Sequence, residues 1–89
     1  MKAIVTVVGK DRVGIIASVC TKLAQYNINI LDISQTVLQG YFTMSMVTDV
    51  TDASLPMAEL ASAMDTAGNE LGMSIRIQRA DIFDAMHRI

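Results

Sequence analysis

The sequence predicts an α+β fold, a βαββαβ sandwich in which four antiparallel strands carry two helices on one face. Three observations lead there. Strand-like runs and helix-like periods follow one another in the order β, α, β, β, α, β. Only Gln39-Gly40 separates the second run from the third, which is a hairpin signal. Each helical stretch stands between two strands and so serves as a right-handed crossover, leaving the opposite sheet face open.

The first strand, residues 2–8, reads KAIVTVV and is rich in β-branched residues that favour an extended backbone. Ala3, Val5 and Val7 fill one side, and Ile4, Thr6 and Val8 are nearly as apolar, so this strand is expected to be central and covered on both sides. After residues 9–14 the period changes. Ile16, Val19, Cys20 and Leu23 then step at i, i+3, i+4 and i+7, one stripe of a helix. Gln25-Tyr26-Asn27 ends that helix, and strands follow at about residues 28–38 and 41–50.

In the third strand Phe42, Met44 and Met46 share a face opposite Thr43 and Ser45. Asp52 or Ser54 can cap the second helix, with Pro56 in its first turn. Met57, Leu60, Ala61, Met64, Ala67 and Leu71 give its apolar stripe, Glu59, Ser62 and Asp65 its polar back, and Gly68 and Gly72 its end. The last strand, residues 73–78, alternates Met73, Ile75 and Ile77 with Ser74, Arg76 and Gln78, as an edge with one covered face does. A short extra helix is expected over about 81–89, where Ile82, Phe83, Met86 and Ile89 form an apolar edge that must cover this chain's open sheet face or a partner's.

The whole chain, residues 1–89, is expected to be a single domain. It is 52% hydrophobic but only 4% aromatic, a high apolar load for this length, and a surface for association is the expected destination of the excess. A net charge of −2 speaks against a nucleic-acid partner, which would call for a basic face. One Cys permits no internal disulfide and no paired-Cys metal or redox site. No apolar run approaches the roughly 20 residues of a membrane span, and Met1-Lys2 leads straight into a strand, so a cytoplasmic protein without membrane contact is expected.

Chemistry can gather where the first strand ends and the first helix begins. Such a junction directs backbone N–H groups with partial positive charge towards the space above it. Asp11 is the expected N-cap, and Gly14 leaves that backbone approachable. Arg12 can hold a carboxylate bidentately, or can simply be solvated or paired with a nearby acid. Asn29, at the start of the second strand, offers one acceptor and two donors, or else is a solvated residue leaving a turn. Cys20 reads as a buried inert thiol, and His87 lacks a second ligand for a metal.

The run D-R-V-G-I-I-A-S-V, residues 11–19, followed by N-I-N-I-L-D-I, residues 27–33, resembles the opening half of an ACT domain. That family opens with Asp/Asn-Arg-Pro-Gly and two apolar residues, then a helix and an Asn-Ile strand. Here Val13 stands in place of the Pro, so the loop is less preset in φ. The resemblance implies a ferredoxin-like fold and a regulatory module, similar to the stand-alone single-domain ACT proteins of bacteria. It implies a small-molecule ligand, an amino acid above all, lying between the loop and the second strand, with a neighbouring subunit's residues closing the site. By position the lining would be Asp11, Arg12, Val13, Gly14, Ile15 and Asn29.

No cofactor, metal or catalytic residue is expected, because no acid–base pair or activated nucleophile falls in one place. Acylphosphatases share the strand order and also use a loop Arg and an Asn, but Asp11 would repel a phosphate from the corresponding cradle. The expected activity is therefore regulatory, as a homodimer or on a partner protein, against the alternative of an assembly module that binds no ligand.

Overall fold

The computed structural model describes residues 1–10 and 13–81. Its elements are β1 (Lys2–Lys10), α1 (Ile15–Gln25), β2 (Asn29–Leu38), β3 (Tyr41–Asp49), α2 (Met57–Leu71) and β4 (Ser74–Arg79). The strands form one antiparallel sheet in the order β2-β3-β1-β4, the ferredoxin-like βαββαβ arrangement. The expected C-terminal helix lies outside the described residues except for a helical start at Ala80 and Asp81, where Arg79 Nη2 donates to Asp81 Oδ2 at 2.8 Å.

One sheet face and both helices enclose the core. Ala3, Val5 and Val7 from β1 meet Phe42, Met44 and Met46 from β3 and Ile75 and Ile77 from β4, all buried beneath Val19, Leu23, Leu60 and Met64. Within that layer Thr48 is fully buried, and its hydroxyl donates to the Ala3 carbonyl at 2.9 Å, so the polar atom is not left unpaired.

The stripe on α1 differs from the sequence reading. Ile15, Val19 and Leu23 face the core, whereas Ile16 is 38% exposed and Cys20 only half-buried. The helix begins at Ile15, and steps of four from that residue follow its inner face. On α2 the buried residues are Leu60, Met64, Ala67 and Gly68, while Ala61 is exposed. Gly68 does not end the helix. It is buried within it, against β4.

Both helices stop in the same way. Met73 N–H reaches the Gly68 carbonyl at 2.8 Å, with Gly72 left-handed at φ 70°. Ile28 N–H reaches the Leu23 carbonyl at 3.0 Å, with Asn27 left-handed at φ 58°. The residue after each turn, Met73 or Ile28, is then buried, so each stop also anchors the next strand in the core. Neither Asp52 nor Ser54 caps α2: the cap position is Pro56, with no side-chain capping bond.

Among the described residues nothing covers the second sheet face. β1 is central as expected, but its second side is not closed, with Ile4 and Thr6 half-buried and Val8 43% exposed. β2 is an outer strand. Ile33 and Val37 pair with Met46 and Phe42 and so share the helix-side face, yet they remain 41% and 53% exposed because the helices do not extend over them.

Candidate functional site

The strand ends decide where the site residues fall. β1 runs away from Met1, so the loop that follows Lys10 stands at the sheet end shared by Lys10, Tyr41 and Leu38. α1 returns along the sheet, and Asn29 therefore starts β2 at the opposite end, paired with Asp49, which itself pairs with Lys2. Eight residue steps separate Lys2 from Lys10 along β1, about 27 Å at ~3.4 Å per step. Within one chain the structure does not bring the loop and Asn29 together.

At the loop end, Asp11 and Arg12 lie outside the described residues. The cap position of α1 is Gly14, three residues beyond Asp11, and no side-chain capping bond is made. Gly14 is left-handed at φ 87°, and its carbonyl accepts the first helical bond from Ser18 N–H at 2.9 Å. The amides of Ile15, Ile16 and Ala17 precede that bond and belong to the open helix N-terminus. Sequence reasoning gave Gly14 the task of leaving space. In the structure a Cβ there would have nothing within 4 Å, and what requires glycine is the positive φ. Val13 is fully exposed, while the Ile15 side chain is buried in the core, so only its backbone faces the junction.

At the other end, Asn27, Asn29, Asp49 and Asp52 line a hollow of about 480 Å³ with Ala24 and Ile28. Asn27 Nδ2 donates to the Asp52 carbonyl at 2.8 Å, which ties the end of α1 to the segment after β3. Asp49 Oδ1 accepts from the Thr51 hydroxyl at 2.6 Å and from Thr51 N–H at 2.9 Å, and lies 3.6 Å from the terminal ammonium of Met1. That ammonium also donates to Thr51 Oγ1. The Thr51 hydroxyl and then its N–H hold the Asp49 carboxyl below its usual value, against an opposing effect of desolvation and with a further lowering from the Met1 ammonium.

Sequence reasoning missed Asp49 as a neighbour of Asn29. The hairpin alone pairs Leu38 with Tyr41, a register that would carry Asn29 to Val50. A bulge at Leu31 shifts the register by one, bringing Asn29 to Asp49 on the open face and turning Ile30 inwards beside Thr48. Among the described residues no group of three His, Cys, Asp or Glu could hold a metal ion, and no helix is long and apolar enough to cross a membrane.

The family model described as ACT domain matches residues 2–78. A UPF0237 protein of Bifidobacterium longum is 51% identical over 88 residues, covering 99% of this chain and 98% of the relative. An ACT domain protein from Streptococcus pneumoniae superposes with a TM-score of 0.84 at 48% identity, covering 98% of both chains. A formyltetrahydrofolate deformylase from Pseudomonas syringae superposes with a TM-score of 0.79 at 26% identity, but this chain covers only 27% of that one.

Proposed function

We propose that this chain, which belongs to the ACT domain family, is a regulatory module that takes up a free amino acid at a site shared by two copies. Members of this family are ligand-binding regulatory modules that often dimerise. The observation that carries the reading is the separation of the loop from Asn29 by the length of the sheet, combined with the unpaired outer edge of β2. Antiparallel pairing of β2 with its symmetry mate sets Asn29 of one copy beside Leu38 of the other, at the sheet end where that copy's loop lies. One site then draws on the α1 N-terminus, Asp11, Arg12, Val13, Gly14 and Ile15 of one protomer and on Asn29 of its mate.

Charge selects the ligand. The helix N-terminus attracts a carboxylate and Asp11 attracts an ammonium, so a zwitterion suits the loop better than a plain anion. At an effective dielectric of about 20, a charge roughly 4 Å from Asp11 experiences about 4 kcal/mol before desolvation, more than the ~0.3–1 kcal/mol supplied by the helix terminus. Neutral amino acids are therefore preferred over phosphate and simple carboxylates.

The test is a thermal-shift series with the twenty amino acids, followed by calorimetry of wild type, Asn29→Ala and Asp11→Asn with one neutral amino acid and one simple carboxylate. Selective stabilisation that Asn29→Ala abolishes, with the preference narrowed by Asp11→Asn, supports the reading. No shift with any amino acid would leave the exposed β2 edge as the mark of an assembly module without a ligand.

A further inference from the structure

We infer that the open face of the sheet holds a site for a small primary amine with a one-ring apolar body, its ring over Ile4 and Val47 and its ammonium on Asp32. The site draws on neither the loop nor Asn29, so it stands apart from the amino-acid reading.

Its position follows from strand register. Ile4 on β1 pairs with Val47 on β3, and Val47 pairs with Asp32 on β2, so the three side chains form one row across the open face. The next row on that face is Thr6, Ser45 and Ser34, all small. The step between the rows leaves a hollow of about 190 Å³ lined by Ile4, Val47, Asp32, Ser34 and Ser45. Its accessible lining is mostly apolar, and Ile4 and Val47 are half-buried, so a ring seated there removes the rest of their apolar surface from water. A cavity of about 150 Å³ takes a benzene ring, and this hollow therefore has room for one ring.

Charge decides which ring-bearing molecule fits. Asp32 Oδ1 accepts from Ile33 N–H at 2.9 Å, which steadies the carboxylate and leaves its other oxygen open. Asp32 makes no ion pair among the described residues. The nearest lysine or arginine on this face is Lys2, two strands and one row away, about 12 Å between Cα atoms at ~4.8 Å per strand and ~3.4 Å per residue. An uncompensated carboxylate at the edge of an apolar hollow attracts an ammonium and turns away an anion. The Ser34 and Ser45 hydroxyls stand in the same lining and can accept from the remaining N–H groups of the ammonium. A ring fills the hollow better than the flexible four-carbon stem of a lysine, which points to a free small molecule rather than to a side chain of a partner protein.

Three probes test this on the full chain with labelled Ile and Val methyl groups: 2-phenylethylamine; 2-phenylethanol, of the same shape without the charge; and n-butylamine, which mimics a lysine stem. The phenylethylamine should shift the Ile4 and Val47 resonances saturably, and more than those of Ile75 and Ile77, which are buried on the helix side. It should bind about two- to fivefold more tightly than the alcohol, the range of a solvent-exposed ion pair. Asp32→Asn, an exposed position, should remove that preference while the alcohol binds as before and circular dichroism is unchanged.

A preference for the amine that survives Asp32→Asn would overturn the assignment of the carboxylate. Equal binding of n-butylamine would give the hollow to a partner's lysine and overturn the proposal. So would Ile4 and Val47 resonances that follow protein concentration instead of amine, the mark of a second copy on this face, and so would no response to any probe.

Discussion

Gly68 and Met73 are bound together from both sides: the Met73 amide donates to the Gly68 carbonyl at 2.8 Å, and the Met73 carbonyl stands only 2.6 Å from where a Cβ on Gly68 would lie. The second atom is backbone and cannot swing aside. Gly68→Ala should gain about 1 kcal/mol in helix propensity but lose about 1–3 kcal/mol to the forced separation of α2 from β4, for a net loss. Urea unfolding checks the sign. A more stable Ala variant would show that α2 and β4 are not so closely apposed.

The hairpin between β2 and β3 holds two consecutive left-handed residues, Gln39 at φ 50° and Gly40 at φ 81°. Both central residues of a type I′ turn need this conformation, and Gln is a poor choice for the first. Gln39→Asn should raise the melting temperature, while Gly40→Ala should lower stability by about 1–2 kcal/mol. Calorimetric scans of the two variants should move in opposite directions.

Asp49 titrates below its usual 3.8 because Thr51 donates to its ionised form. A folded-state pKa lower than the unfolded one adds stability that is present above the unfolded value and disappears as pH falls through the folded one. Thr51→Val keeps the backbone N–H but removes the hydroxyl, so the Asp49 pKa should rise part of the way towards 3.8. Carboxyl NMR titration reads this directly, and an unchanged Asp49 midpoint would show that the hydroxyl is not its main partner.

Ile33 and Val37 lie on the outer strand and remain 41% and 53% exposed. Lysine at an exposed edge disfavours strand addition yet disturbs little in the protomer. Ile33→Lys with Val37→Lys should therefore leave circular dichroism unchanged and reduce the sedimenting species to 9.7 kDa. If the doubly substituted protein still sediments as a dimer, pairing does not run through β2.

The fold was legible wherever one residue type answered to one local rule. Alternation in β3 and β4, the Gln39-Gly40 turn and the order of elements all survive in the structure because each depends on neighbours close in sequence. The helix phases were not, since moving the start of α1 to Ile15 rotates the buried stripe, and the sequence offers apolar residues at both 15 and 16. The site was least legible. Asn29 faces Asp49 only because Leu31 is extruded as a bulge, and the one local sign within Ile28–Ile33, the adjacent apolar pair Ile30-Leu31 that interrupts an otherwise alternating run, is easily read as a plain strand. The cap position of α1 falls at Gly14, three residues beyond Asp11, because the chain turns there through a left-handed backbone, and the side chain of Asp11 itself lies outside the described residues.

The strand order also governs how the molecule is born. β1 lies between β3 and β4, so the first strand made has no neighbour until residue 41 has been added, and its second edge is unpaired until residue 74. At ~5–20 residues per second, Ala3, Val5 and Val7 wait several seconds in an incomplete chain. Their closure depends entirely on contacts distant in sequence, the kind that makes folding slow. A nascent chain stalled before β4 therefore holds a half-built sheet with its core strand exposed, and this is the species a chaperone would meet.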